Sequence, residues 1–530
     1  DRAVKALLMH ADHDFDPGQP LPPHAPVLQQ DLAVDTVVAA MADDDTFIAG
    51  IATNALLNDP GTDPADLRYR QAAVRDAVTH ARTVRVMYAI ATGALEDRRK
   101  SYWGFTTQHP SSMLYSALRL LALFVDRLRA LRRIAEKQAD GFDSAAFRNL
   151  FAMLQRELDD AYLARVDAHL EELKFADGAL LSARLGPDAE SEDYTLRRPR
   201  DPHPNWLRSL LAKHAASPYT VRVAERDLTG AKTLEAMRDR GIRDVAAAVA
   251  ESTAHVEGFF NTLRAELAFH VGCANLHARL AARHIETCFP EITSGEAGAG
   301  FRARGLRDAA LALTTDATIV GNDLDATGKA LVVVTGANQG GKSTFLRSLG
   351  LAQLMLHAGM FVAAKSFASA PCTGLFTHYK REEDAAMQHG KLDEELARLG
   401  AIADAIRPGA WLLCNESFAS TNEREGSELG RQMLEAMRER HVRVAFVTHL
   451  YRLAHRLWAQ HRDDALFLRA ERLDDGARTF RLREGAPRET SHGDDLYREV
   501  FGDEGQTDAA PSQPSGKAID PAGAAIGRRA

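Results

Sequence analysis

The run Gly336-Ala337-Asn338-Gln339-Gly340-Gly341-Lys342-Ser343-Thr344 directly follows Leu331-Val332-Val333-Val334-Thr335, an apolar, β-branched stretch. A buried strand that enters a glycine-rich turn and opens a helix is the pattern G-x-x-x-x-G-K-[ST], the P-loop. It predicts an α/β segment that binds a nucleoside triphosphate. The glycines let backbone N–H groups turn inward around a phosphate chain. Lys342 reaches the β/γ-phosphates, Ser343 offers a hydroxyl to Mg²⁺, and the helix N-terminus faces the anion. ATP and Mg²⁺ are therefore the expected cofactors. A Gly-rich turn with an incidental lysine is the competing reading, and the strand before and apolar helix after argue against it.

At 530 residues the chain is too long for one ordinary core, and several domains are expected. With 45% hydrophobic and 26% charged residues its composition is that of a globular protein. No stretch has membrane-spanning length and no signal-peptide core is present, so a cytoplasmic protein without membrane partners is expected. Cys273, Cys288, Cys372 and Cys414 have no paired or metal-type spacing and read as reduced thiols. A net charge of −8 gives no global attraction to nucleic acid, so any DNA contact needs local basic patches.

The pattern predicts a multidomain chain: a helical domain with a small insertion, then an α/β P-loop domain. Residues 1–30 read as a loosely ordered lead-in. Helices are expected over 31–177, with one apolar stripe through Met113, Leu114, Leu118, Leu121, Phe124, Val125, Leu128 and Leu131. Asp143 and Ser144 are candidate caps for the next helix, whose stripe runs from Phe147 to Tyr162. Residues 178–240 read as an insertion with β-like pieces such as Tyr219–Val223. Over 241–300 a long returning helix, from about Arg243 to His284, is followed by a Gly-rich linker. Strands and helices alternate through 301–503, as in a parallel α/β sheet, and 504–530 lacks the apolar residues to fold.

A P-loop ATPase needs a second strand that ends in an acidic pair. Trp411–Asn415 followed by Glu416 supplies the strand, with Asn-Glu in place of Asp-Glu. Glu416 stands where the water-polarising carboxylate belongs, and Asn415 keeps an oxygen for the metal's shell but no charge. Slow hydrolysis follows, with an ordinary core strand as the alternative. A third strand, Val442–Val447, ends in Thr448-His449, which places His449 on the face where α/β sheets bind ligands, as a γ-phosphate sensor or a surface histidine.

From Leu331 to Tyr451 the sequence resembles the ATPase domain of the MutS DNA mismatch-repair family, a branch of the ABC-type ATPases. The P-loop is close to that family's G-P-N-M-G-G-K-S-T. Phe376-Thr377-His378 with Glu383-Asp384 resembles its F-T-R and acidic pair. Asn415–Gly426 aligns on D-E-I-G-R-G-T-S-T-Y-D-G, and Thr448-His449-Leu450 corresponds to T-H-Y. The resemblance implies a homodimer in which each ATPase domain completes the other's nucleotide pocket. The trans signature would be Gln388–Leu396, with Gly390 and Lys391 at its centre, and Ser417–Glu425 would cross the interface. An amphipathic surface helix is the plainer reading of the same residues. The helices up to about 175 and the long returning helix resemble the family's lever, and the insertion its clamp. The family's Phe-x-Glu wedge is not found, so wedge-type mismatch recognition is not expected.

The resemblance further implies a DNA partner, duplex or branched, and a downstream repair protein. Arg197, Arg198, Arg200 and Arg222 in the insertion are candidate phosphate contacts, although acidic residues lie among them. Arg127, Arg129, Arg132, Arg133 and Lys137 form a second basic cluster, or simply the polar side of their helix. Two other functions fit the same features. One is an ATP-switched protein that grips a protein partner. The other is a transporter or chromosome-organising engine, which the absent LSGGQ-like signature and absent long heptad coil disfavour.

Overall fold

The computed structural model describes residues 5–58, 61–101, 109–175, 178–185, 191–197, 228–293, 300–337, 339–381, 390–473 and 478–488. The front half is helical: Ala25–Asp31, Val34–Ala42, Thr46–Leu57, Pro64–Thr79, Ala81–Ser101, Pro110–Gln138, Ala145–Glu157 and Asp160–Glu172. Four of them start at a short polar side chain that caps the first turn: Asp45, Asp63, Ser144 and Asp159. Asp45 accepts from Phe47 N at 2.8 Å, and Ser144 from Phe147 N at 3.3 Å. The expected stripe of helix Pro110–Gln138 is largely realised. Leu114, Leu118, Phe124, Val125, Leu128 and Leu131 are buried, while Met113 and Leu121 are half-buried. The next stripe breaks at its end, because Ala145–Glu157 stops before Tyr162, which is exposed on the following helix.

Strands β1 (Leu180–Leu185) and β2 (Ser191–Arg197) pair antiparallel. The returning helix is longer than its periodicity predicts. It spans Leu228–Ala282, 55 residues, and so takes the stretch from 228 to 240 away from the insertion. At ~1.5 Å per residue it is about 80 Å long. Its second half docks on the other helices, with Phe260 fully buried and its ring 5.4 Å from that of Phe124. Phe260→Ala is expected to cost ~3–5 kcal/mol and lower the thermal midpoint by about 10 °C in a melting scan.

Residues 5–30 correct the expectation of a loose lead-in. Leu8 and Met9 are buried, and Glu266 of the long helix accepts from Leu8 N and, at 2.8 Å, from Phe15 N. Burial pushes the Glu266 carboxyl up to about 7. Arg70 of helix Pro64–Thr79 donates to Met9 O at 2.9 Å and to His357 O at 3.4 Å, and so bridges this segment to the end of the P-loop helix. Its polar composition suggests disorder, but Asp14 accepts from Ala6 N and Leu7 N, Asp16 accepts from Gly18 N, and Leu8, Met9, Ala25 and Leu28 are buried.

The C-terminal half holds two sheets. Strands β3 (Glu291–Ile292), β4 (Phe301–Leu306), β5 (Asn322–Asp325) and β7 (Ser366–Ser369) form a mixed sheet ordered β3-β7-β4-β5. The larger sheet contains β6 (Leu331–Thr335), β8 (Leu375–Tyr379), β9 (Trp411–Asn415), β10 (Arg443–Val447), β11 (Ala465–Arg472) and β12 (Arg478–Glu484), ordered β12-β11-β6-β10-β9-β8. It is parallel except for β12, which pairs antiparallel with β11, so the expectation of a purely parallel sheet is corrected at that edge. Val332 and Val334 face the core shared with the helical half; Leu331 and Val333 face a second core with Leu412, Phe446 and Met433. Burial on both faces is why these strands read as continuous apolar runs. Among the described residues no helix is long and apolar enough to cross a membrane, and the four cysteines form no disulfide.

Candidate functional site: a nucleotide cleft at the end of the sheet

The ends of β6, β9 and β8 open into a cleft of about 710 Å³. β6 runs into the P-loop, and the helix Lys342–His357 follows with Gly341 as its N-cap. Gly336 has φ +123° and Gly341 φ +87°, in the region that favours glycine. A Cβ on Gly336 would also sit 2.9 Å from that of Ala470 on β11. Lys342 Nζ donates to the carbonyls of Gly336 and Ala337 at 2.7 and 2.9 Å, so its ammonium lies over the mouth of the loop. Burial lowers its pKa from the ordinary lysine value, with Glu416 opposing.

The parallel register sets β9 and β10 side by side and places Asn415 beside Val447. Ser343 Oγ donates to Asn415 Oδ1 at 2.9 Å, joining the P-loop helix to the acidic strand. Glu416 lines the same cleft, and its N–H donates to Val447 O at 2.9 Å. Hydroxyl and amide oxygens at this corner, next to a phosphate-binding loop, are hard donors of the kind Mg²⁺ takes.

Of the residues singled out from the sequence, Gln339, Gly340, Gly341, Lys342, Ser343, Thr344, Asn415 and Glu416 share this lining. Gly336 and Ala337 adjoin it through Lys342, and Asn338 lies outside the described residues. His449 follows β10 but is exposed and is not among the lining residues. Gly390 caps the helix Lys391–Ala405 without a side-chain bond, and Lys391 is exposed. Gln388, His389, Glu383 and Asp384 are outside the described residues, as are Arg198, Arg200, Arg222 and the stretches 219–223 and 504–530. Arg197 is exposed on β2 and donates to Ser182 Oγ at 2.9 Å. In the second basic cluster, Arg127 pairs with Asp97 at 2.7 Å and Arg129 with Asp126 at 3.1 Å. Arg132 pairs with Asp160 at 2.6 Å and Glu136 at 2.8 Å. These three arginines are thus matched within the helical domain.

Several lining residues went unnoticed in the sequence. Ile319 and Val320 precede β5, and Phe480 on β12 closes the same end of the cleft. Lys380 and Arg381 follow β8, and Arg381 pairs with the buried Asp31 at 2.7 Å. The position of Lys380 and Arg381 just past a parallel strand was a usable signal. Phe480 carried none, since the β11–β12 hairpin brings it to a loop far earlier in the chain.

A P-loop nucleotide-binding domain joined to a helical half is the class of protein these features define. The model for the MutS2 N-terminal domain matches residues 62–283, and that for MutS domain V matches 332–493. Over both stretches the chain is similar to MutS-family proteins. It is 33% identical over 229 residues to the Endonuclease MutS2 of Anaeromyxobacter sp., covering 40% of this chain and 27% of that protein. Identity to the Endonuclease MutS2 of Thermus thermophilus is 31% over 120 residues, 23% of this chain and 16% of the relative. The DNA mismatch repair protein MutS of Chloroflexus aurantiacus is 28% identical over 145 residues, 26% of this chain and 15% of its own length. The matches thus span about a quarter or less of these relatives.

Proposed function

We propose that the chain is a DNA-maintenance ATPase that binds and hydrolyses ATP in the cleft at the end of the sheet. The observation that carries this is the convergence of Lys342 and Ser343 from the P-loop with Asn415 and Glu416 from the end of β9 on one cleft. The P-loop amides and Lys342 hold the phosphates, and Phe480 with Ile319 and Val320 gives the base an apolar end. Ser343 and Asn415 Oδ1 would hold Mg²⁺ beside the phosphates, where it would supply charge neutralisation. Glu416 orients a water and accepts its proton as the water attacks the γ-phosphorus in line; the bond to the β-phosphate oxygen breaks, leaving ADP and phosphate. His449 would respond to the γ-phosphate from the end of β10.

Head-to-tail pairing of two chains, with Gly390 and Lys391 closing the partner's pocket, rests on the family resemblance. So does the passage of nucleotide state through the lever-like helices to a clamp around DNA; the length and docking of Leu228–Ala282 suit such a strut. Arg197, Arg198, Arg200 and Arg222 are the proposed phosphate contacts, and a downstream repair protein is the proposed further partner. The relatives' names mention an endonuclease; the cleft described here suits phosphoanhydride chemistry, and strand cleavage is not part of this proposal.

Phosphate release measured with and without Mg²⁺ tests the reading. Slow, Mg²⁺-dependent release is expected. Asn415→Asp, which restores a charge beside Ser343, is expected to raise the rate several-fold, on the order of 1 kcal/mol of better charge stabilisation. No release under any condition, with ATP still bound, would favour a nucleotide-switched grip on a protein partner.

A further inference from the structure

The turn after β9 is held in an unusual conformation. Glu416 has φ +54° and Phe418 φ +64°, neither being glycine. Such conformations are costly for residues other than glycine and persist only where the surroundings over-determine them. Here the determinants are specific. Phe418 N donates to Glu395 Oε1 at 2.5 Å, and Ser420 Oγ donates to Glu395 Oε2 at 2.6 Å. Both carboxylate oxygens of one residue thus grip the strained turn, just past Glu416.

Glu395 lies on the helix Lys391–Ala405, where it is the one fully buried residue, while Leu392, Leu399 and Ile402 are half-buried. A helix whose deepest anchor is a carboxylate is held for geometry more than for stability, because burying charge is costly unless it is fully bonded. A second link runs in parallel through His378 of β8. Its Nε2 lies 3.2 Å from Glu395 O and its Nδ1 2.7 Å from Ser417 Oγ. The Ser417 hydroxyl donates to His378 O at 2.9 Å, so Ser417 is tied to both the backbone and the ring of His378. Burial, with Arg398 and Arg381 nearby, lowers the imidazole pKa below its ordinary value and keeps it neutral.

We propose that Glu395, seconded by His378, is a positioning residue for hydrolysis: it fixes the Glu416–Ser420 turn and ties it to the helix Lys391–Ala405. The proposal rests on the reading of Glu416 as the residue that orients water. If that helix also closes a partner's pocket, the same bonds make the aim of Glu416 in one chain depend on nucleotide in the other. Among the described residues none of this helix lines its own chain's cleft, so its influence on turnover passes through the turn.

The test compares Glu395→Gln, Glu395→Ala and Ser420→Ala in the full chain, with kcat and KM from phosphate release and ATP affinity from fluorescent-nucleotide titration. Glu395→Ala is expected to lower kcat on the order of tenfold to a hundredfold with ATP affinity within about threefold. Glu395→Gln, which keeps one good acceptor, is expected to fall between it and the unsubstituted chain, and Ser420→Ala to lose a few-fold in kcat. If Glu395→Ala does not fold, the other two decide. An unchanged kcat in Glu395→Gln and Ser420→Ala, or losses confined to affinity, overturns this proposal alone, provided Glu416→Gln abolishes turnover. No turnover in the unsubstituted chain overturns both this proposal and the reading on which it rests.

Discussion

Glu416→Gln is expected to cut ATP turnover by about a hundredfold or more while ATP affinity stays within about threefold. The amide keeps the size and hydrogen-bonding reach of the carboxylate but cannot accept the proton of the attacking water. Its backbone bond to Val447 O, and with it the turn, is untouched by the exchange. A trapped ATP state is the corollary, visible as slower release of a fluorescent nucleotide. If turnover is the same in both forms, Glu416 is not the base.

Lys342→Ala is expected to act at the earlier step. Its ammonium lies within 2.9 Å of two P-loop carbonyls and is buried between the loop and the acidic strand. Placed among the phosphates, one such charge-assisted contact in a partly buried cleft contributes roughly 2–3 kcal/mol, so ATP affinity falls about thirtyfold to a hundredfold. Turnover at sub-saturating ATP falls further still. Because the alanine also relieves the burial of an ammonium, the folded chain is expected to keep its melting temperature, which separates lost binding from lost structure.

The two exchanges differ in what the sequence could say of them. The P-loop is a contiguous motif, and its strand, turn and helix appear where the pattern places them. The Asn415-Glu416 pair was legible because β9 is apolar to its last residue, and parallel pairing puts strand ends at one edge. Glu395 was not legible: on a helical wheel it is one more acidic residue of a surface helix, and only the fold turns it inward to the Phe418 N–H. Phe480 and Asp31 likewise reach the cleft or its edge by topology alone. The long helix began earlier than its stripe because residues 228–240 are helix-compatible but carry few large apolar side chains, so periodicity gave no start signal. Residues 5–30 misled for the opposite reason, since polar composition hid a segment bonded to Glu266 and Arg70.

Under the proposed function, nucleotide in this cleft governs a grip on DNA. Its most direct measurement is a salt-titrated binding assay of the full chain on duplex, mismatched and branched DNA, with and without ATP and Mg²⁺. The account predicts binding at low salt that weakens linearly in log–log form as salt rises, by a slope near −0.9 per phosphate contact on duplex. It further predicts that ATP shifts the affinity several-fold, and that Lys342→Ala removes the shift while leaving the salt slope intact. No binding to any of these DNAs at low salt, or binding that ignores ATP in the unsubstituted chain, would contradict it.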